Sequence, residues 1–129
     1  MIPLWTFKGY LNERGENVMD AWYDDLPVKA QARLDKILEH FRDSPHTAWG
    51  STYFFPLTGL DGIFEIRFTV NNIQYRPLGC FGPAKNEFTF LIGAKEIGDA
   101  FVPNKAPDIA MGRRKEILVD PKKTNECNF

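Results

Sequence analysis

Apolar residues at Ala30, Leu34, Ile37, Leu38 and Phe41 recur at i, i+4, i+7, i+8 and i+11. That spacing lays one apolar stripe along an α-helix and is the strongest helical pattern in the chain. Asp24-Asp25-Leu26-Pro27 precedes it, where an Asp can cap and a Pro suits a first helical turn, and Ser44-Pro45 ends it. A shorter helix is predicted over Asn17–Asp25, with Val18, Ala21 and Trp22 on one side, after a first strand within Leu4–Tyr10. The far side of the longer helix carries Lys29, Arg33, Lys36 and His40. Asp35 and Glu39 interleave with them, so a solvated helix face competes with a polyanion-binding stripe.

A different period governs residues 61–81. Phe64, Ile66, Phe68 and Val70 alternate with Glu65, Arg67 and Thr69, the period of a strand with one buried face. Asn71-Asn72 then reads as a two-residue hairpin turn, because Asn tolerates the positive φ that type I′ turns require. Counting outward from Val70 and Ile73 sets Phe68 opposite Tyr75 and Arg67 opposite Arg76. Like charges facing each other on a sheet are destabilising by up to about 1 kcal/mol, so the pair asks for compensation. Two answers stand open: an anion held between the arginines, or neutralisation by Glu65, diagonal to Arg76.

Tyr53–Leu57 suggests a short edge strand, and Phe88–Ile92 another strand closed by Gly93-Ala94-Lys95. A final helix is predicted from Ile109 to Val119, and residues 120–129 are expected to be a disordered polar tail. The order is strand, helix pair, three or four antiparallel strands, helix. The expected fold is α+β in a single domain over residues 1–129, helices packed on an antiparallel sheet of about four strands with the hairpin at its centre.

Composition narrows the function classes. With 43% hydrophobic and 26% charged residues, the 129-residue chain can bury a core unaided. Two cysteines and no CxxC or His/Cys cluster give neither a disulfide framework nor a zinc site, and no cofactor is expected. Cys127 falls in the polar tail, which argues against a bridge to Cys80. MIPLWTFKGY lacks the basic, then apolar, layout of a signal peptide, and no apolar run reaches 18 residues. A cytoplasmic protein without a membrane span is expected. Net charge is −1, with a modest basic end in which six basic residues between Lys105 and Lys123 face three acidic ones.

The element order and wording together resemble the RelE/ParE toxin superfamily, in its phage-derived HigB-like branch. The matching residues are the Asp-Leu-Pro between the helices, Leu57-Thr58-Gly59-Leu60-Asp61-Gly62 running into Glu65-Ile66-Arg67, then Tyr75-Arg76. Phe90–Lys95 and Lys105-Ala106-Pro107 complete the set. The resemblance implies a RelE-like fold and a toxin silenced by an antitoxin protein, typically a small helix-turn-helix protein. It also implies metal-independent cleavage of mRNA on the ribosome, the ribose 2′-oxygen attacking the adjacent phosphate. On this resemblance Arg67, Arg76, Lys95 and Lys105 would be the basic site residues, stabilising the anionic phosphorane.

The sequence also departs from that pattern. Tyr53, Phe54 and Phe55 stand where HigB-like relatives carry lysines, and Pro77 and Gly79 interrupt the return strand. His46, in a Ser-Pro-His-Thr loop, is a candidate general base because histidine titrates near neutrality. Tyr53 is a candidate base-stacking residue, and Trp49 a candidate partner contact. Two other functions stay open: a partner-binding RelE-fold protein without nuclease activity, and a ParE-like gyrase poison. A homodimer is a further open possibility.

Overall fold

The computed structural model describes residues 4–50 and 52–129. β1 (Thr6–Tyr10) leads to α1 (Val18–Asp24) and α2 (Val28–Arg42). The Asn17 side chain caps α1 by accepting from the Met19 and Asp20 amides. α2 has no such cap; Pro27 itself precedes it in an extended conformation, so the expected Asp cap is absent. After a short 3-10 turn over His46–Ala48 come β2 (Phe54–Pro56), β3 (Phe64–Ile66), β4 (Phe68–Val70), β5 (Ile73–Tyr75) and β6 (Leu78–Phe81). β7 (Glu87–Ile92), β8 (Lys95–Ile97), β9 (Ala100–Val102), α3 (Ala106–Val119) and β10 (Thr124–Glu126) complete the chain.

The fold is α+β, and its strands are more numerous than the four expected. They form a six-stranded sheet in the order β10-β1-β7-β6-β3-β2 and a four-stranded sheet β4-β5-β8-β9. β1 and β7 are parallel and the other pairs antiparallel, so the larger sheet is mixed. The excess has a local cause. The hairpin of residues 64–81 keeps one register throughout, with Phe64 opposite Gly79, Glu65 opposite Leu78, and Phe68 opposite Tyr75. Asn71 and Asn72 turn it with φ of 52° and 67°. At its middle, however, the Arg67 amide donates to Tyr53 O and the Arg76 amide to Ala94 O, away from each other. Pro77 has no N–H with which to answer the Ile66 amide that it accepts from. The ladder opens there, and one long hairpin is divided between two sheets.

Each face of the large sheet carries its own core. On one side α1 and α2 bury Met19, Leu34, Leu38 and Phe41 against Phe7, Phe88 and Phe90. On the other, α3 buries Ala106, Ala110 and Ile117 against Leu78, Cys80 and Leu91. β6 shows the alternation that serves both: Leu78 and Cys80 face α3, while Phe81 packs with the α1–α2 cluster. Trp49 is 2% exposed, stacked on Phe41 at 4.6 Å, with its indole N–H donating to Phe41 O. It belongs to the core and is not a partner contact.

The expected disordered tail is also corrected. Asp120 caps a 3-10 turn over Pro121–Lys123, and β10 then covers the edge of β1. The Cys127 amide donates to Phe7 O, and Phe129 stacks on Tyr23 at 4.2 Å. The polar sequence of the segment hides the three side chains, Thr124, Cys127 and Phe129, that dock it. α3 begins three residues before the expected Ile109. Cys80 and Cys127 are both free and buried. No helix among the described residues is long and apolar enough to cross a membrane.

Two stability predictions follow from this packing. Gly93 lies against the face of Trp22, and a Cβ there would collide with the indole; Gly93→Ala should cost about 1–3 kcal/mol in urea unfolding, an overpacking penalty. Burial pushes the Cys80 thiol up to about 11 and the Cys127 thiol up to about 12. Unfolded thiols ionise near their ordinary value of about 8.5, so this stabilisation is complete below that pH and is lost as pH rises toward the folded values. The urea midpoint should therefore decline through the alkaline range, less steeply in a Cys80→Ala/Cys127→Ala variant; identical alkaline slopes would refute the assignment.

Candidate functional site

The open ladder at Arg67 and Arg76 creates a charged cluster on the α3 side of the sheets. Glu65 stands opposite Leu78 in the large sheet, and its side chain is 1% exposed. One carboxylate oxygen accepts from Arg67 through Nε and Nη2, each at 2.7 Å. The other oxygen accepts from Arg76 Nε at 2.7 Å. Arg76 uses Nη1 to bind Glu96 at 2.7 Å, reaching β8 in the small sheet. Both guanidinium planes lie on aromatic rings, Arg67 4.6 Å from the centre of Phe55 and Arg76 4.1 Å from that of Phe101. The two cations are thus balanced by two carboxylates, and no buried side-chain polar atom among the described residues lacks a partner.

This arrangement contains the neutralising contact of the two readings of the arginine pair. Register brings the arginines together as the alternation requires, and the space between them is filled by Glu65. Two nitrogens of each guanidinium are engaged by carboxylates, which lowers the positive field that the pair projects.

The remaining candidate residues lie elsewhere. Lys95 is the strand neighbour of Tyr75 and lines a groove with Trp22 and Leu26, on the face opposite Arg76. Alternation explains the separation: Gln74 pairs with Glu96, so Glu96 faces the arginines and Lys95 turns away. Lys105 is exposed at the N-cap of α3. His46 rests on Phe81, ring centres 5.0 Å apart, beside Trp5 and Trp49 of the α1–α2 cluster. Of the candidate residues, Arg67 and Arg76 share a carboxylate, while Lys95 and His46 pack elsewhere. Tyr53 is tied to α2 by a hydrogen bond from Arg33 at 2.9 Å and borders an open groove of about 370 Å³ with Arg33, Phe55 and Arg67.

Glu96 and Phe101 complete the cluster through the β8–β9 hairpin, which the hydrophobic pattern does not announce. Its signal was Gly98-Asp99, a turn pair with φ of 55° and 63° between two strands of only three residues. A second polar network joins α3 to β1 and the C-terminal turn. The Tyr10 hydroxyl donates to Glu116 at 3.0 Å, Lys123 donates to the same carboxylate at 2.9 Å, and Arg113 lies over the Tyr10 ring. Burial, then the bond to Glu116, raises the Tyr10 pKa, while the bond from Lys123 lowers that of Glu116. No group of three or more His, Cys, Asp or Glu among the described residues is placed to hold a metal ion.

No family model matches the chain, and no curated protein or solved structure is significantly similar to it.

The cluster ranks its members. Arg76→Ala strips Glu96 of its partner and leaves the buried Glu65 held by Arg67 alone, and should cost about 3 kcal/mol or more. Arg67 is 39% exposed and its removal leaves Glu65 still bound to Arg76, so Arg67→Ala should cost about 1 kcal/mol. Equal losses in urea unfolding would show that Glu65 does not depend on Arg76.

Proposed function

We propose that this chain is a RelE/ParE-like protein that acts by binding a partner protein, with no preformed RNA-cleaving centre. Support for a RelE-like reading comes from the order of a first strand, helix pair, antiparallel strands and final helix, together with the motif set around Glu65, Arg67 and Tyr75-Arg76. The observation that carries the partner-binding half is the Glu65 carboxylate seated between Arg67 and Arg76. In-line cleavage by a ribose 2′-oxygen needs cationic donors free for the developing phosphorane and groups to move two protons. Here both guanidinium groups are engaged by carboxylates, while Lys95 lines a groove on the other face and His46 packs on Phe81.

A second reading, an mRNA-cleaving toxin, keeps one specific support. Arg67 is the most exposed member of the cluster and borders the groove shared by Arg33 and Tyr53. That reading requires phosphate to replace Glu65 on the arginines.

Induced expression in bacteria separates the two, with transcript ends mapped by primer extension and the chain co-expressed with a panel of small helix-turn-helix proteins as candidate partners. The expected result is no new transcript ends from the wild-type chain and a stable complex with a member of that panel. New transcript ends that vanish in an Arg67→Lys/Arg76→Lys variant of unchanged circular dichroism would overturn the proposal in favour of the nuclease.

A further inference from the structure

The small sheet is covered on only half of one face. By register Phe68, Tyr75, Lys95 and Val102 form one cross-strand row, and by alternation Ile73 and Ile97 lie on the same side, opposite Arg76 and Glu96. α2 packs over β4 and closes the near end, where Phe68 is 3% and Tyr75 4% exposed. Beyond it, exposure climbs to 37% at Ile73, 39% at Val102 and 59% at Ile97. The α1–α2 corner forms the opposite wall through Trp22, Leu26 and Pro27, enclosing a groove of about 370 Å³ with Gly93 in its lining. Apolar side chains grouped along a concave surface mark an interaction site more often than scattered surface residues do.

Two charges define what fits. Lys95 is half-buried in this apolar groove and makes no ion pair among the described residues. Asp25, on the helical wall, likewise has none. A lysine whose stem lies along an apolar groove and whose ammonium has no ion pair can take an opposite charge supplied by the occupant. The edge strand β9 is three residues long and runs directly into Pro103, which suits it poorly to strand addition. A helix beside α2 instead continues the layer that already covers half the face.

We propose that this groove receives an amphipathic α-helix of a partner protein, its apolar stripe on Ile73, Ile97 and Val102. An acidic side chain of that helix meets Lys95, and a basic one meets Asp25. The inference rests on the partner-binding reading and adds the surface and the chemistry of the partner.

The test is selection of a displayed library of helical peptides on the full-length protein, with affinities read by fluorescence anisotropy. Selected helices should carry apolar residues at i, i+4 and i+7 with a flanking acid. Ile97→Asp, at an exposed position, should weaken them at least tenfold without changing the circular dichroism. Lys95→Glu should reverse the preference, favouring the same peptides with lysine in place of the acid. Binders indifferent to both variants, or an absence of helical binders, would overturn the proposal. So would a wild-type dimer in light scattering that Ile97→Asp converts to monomer, since the face would then belong to a second copy. If a helix-turn-helix partner binds wild type and Ile97→Asp equally well, the groove assignment fails while partner binding stands.

Discussion

Burial of the Glu65 carboxylate is the constraint on which the centre of this structure depends. Two strands of one hairpin part company at Arg67 and Pro77, and the point where they do so is bridged by charge. Glu65 sits in the large sheet, Arg67 and Arg76 occupy the breaks, and Glu96 and Phe101 belong to the small sheet. Removing a carboxylate from water costs several kcal/mol unless its lone pairs are met by well-placed donors. Three donor atoms at 2.7 Å meet that requirement here, and Phe55 and Phe101 hold the guanidinium planes in place. The cluster therefore resists any relative movement of the sheets that would separate Glu65 from Arg76.

The same cluster separates appearance from chemistry. Adjacent arginines on a sheet face resemble an anion site, and their sequence context resembles that of RNA-cleaving toxins. What decides their availability is occupancy. Guanidinium groups bound to Glu65 offer less to a phosphate, because exchange would strand that buried carboxylate without a partner. Lys95, in the groove beside Trp22, differs from the arginines in having no ion pair among the described residues.

Around this centre the layers are arranged so that β6 and β7 serve two cores at once. Phe88 and Phe90 pack under α1 and α2, while Leu91 packs under α3. The parallel pairing of β1 with β7 places the first strand beside the last long one, and β10 covers its outer edge. The C-terminal segment thus closes the large sheet, held by Cys127, Phe129 and the Tyr10–Glu116–Lys123 network.

Periodicity and turn chemistry determined α2 and the hairpin of this protein. The i, i+4 stripe of α2, the alternation of Phe64 to Val70 and the Asn-Asn turn are properties of neighbouring residues, and they fix the register that sets Arg67 beside Arg76. Glu65 as a neutralising partner was also legible, as one of two open answers. Three-residue strands carry too few positions to show a period, so β8, β9 and β10 were not visible, nor was the docking of the C-terminal segment. Which carboxylates reach the arginines, and on which side Lys95 emerges, depended on the pairing of β5 with β8, a contact between residues about twenty positions apart. Local sequence sets which face of its own strand a side chain takes; only the tertiary pairing sets what that face meets.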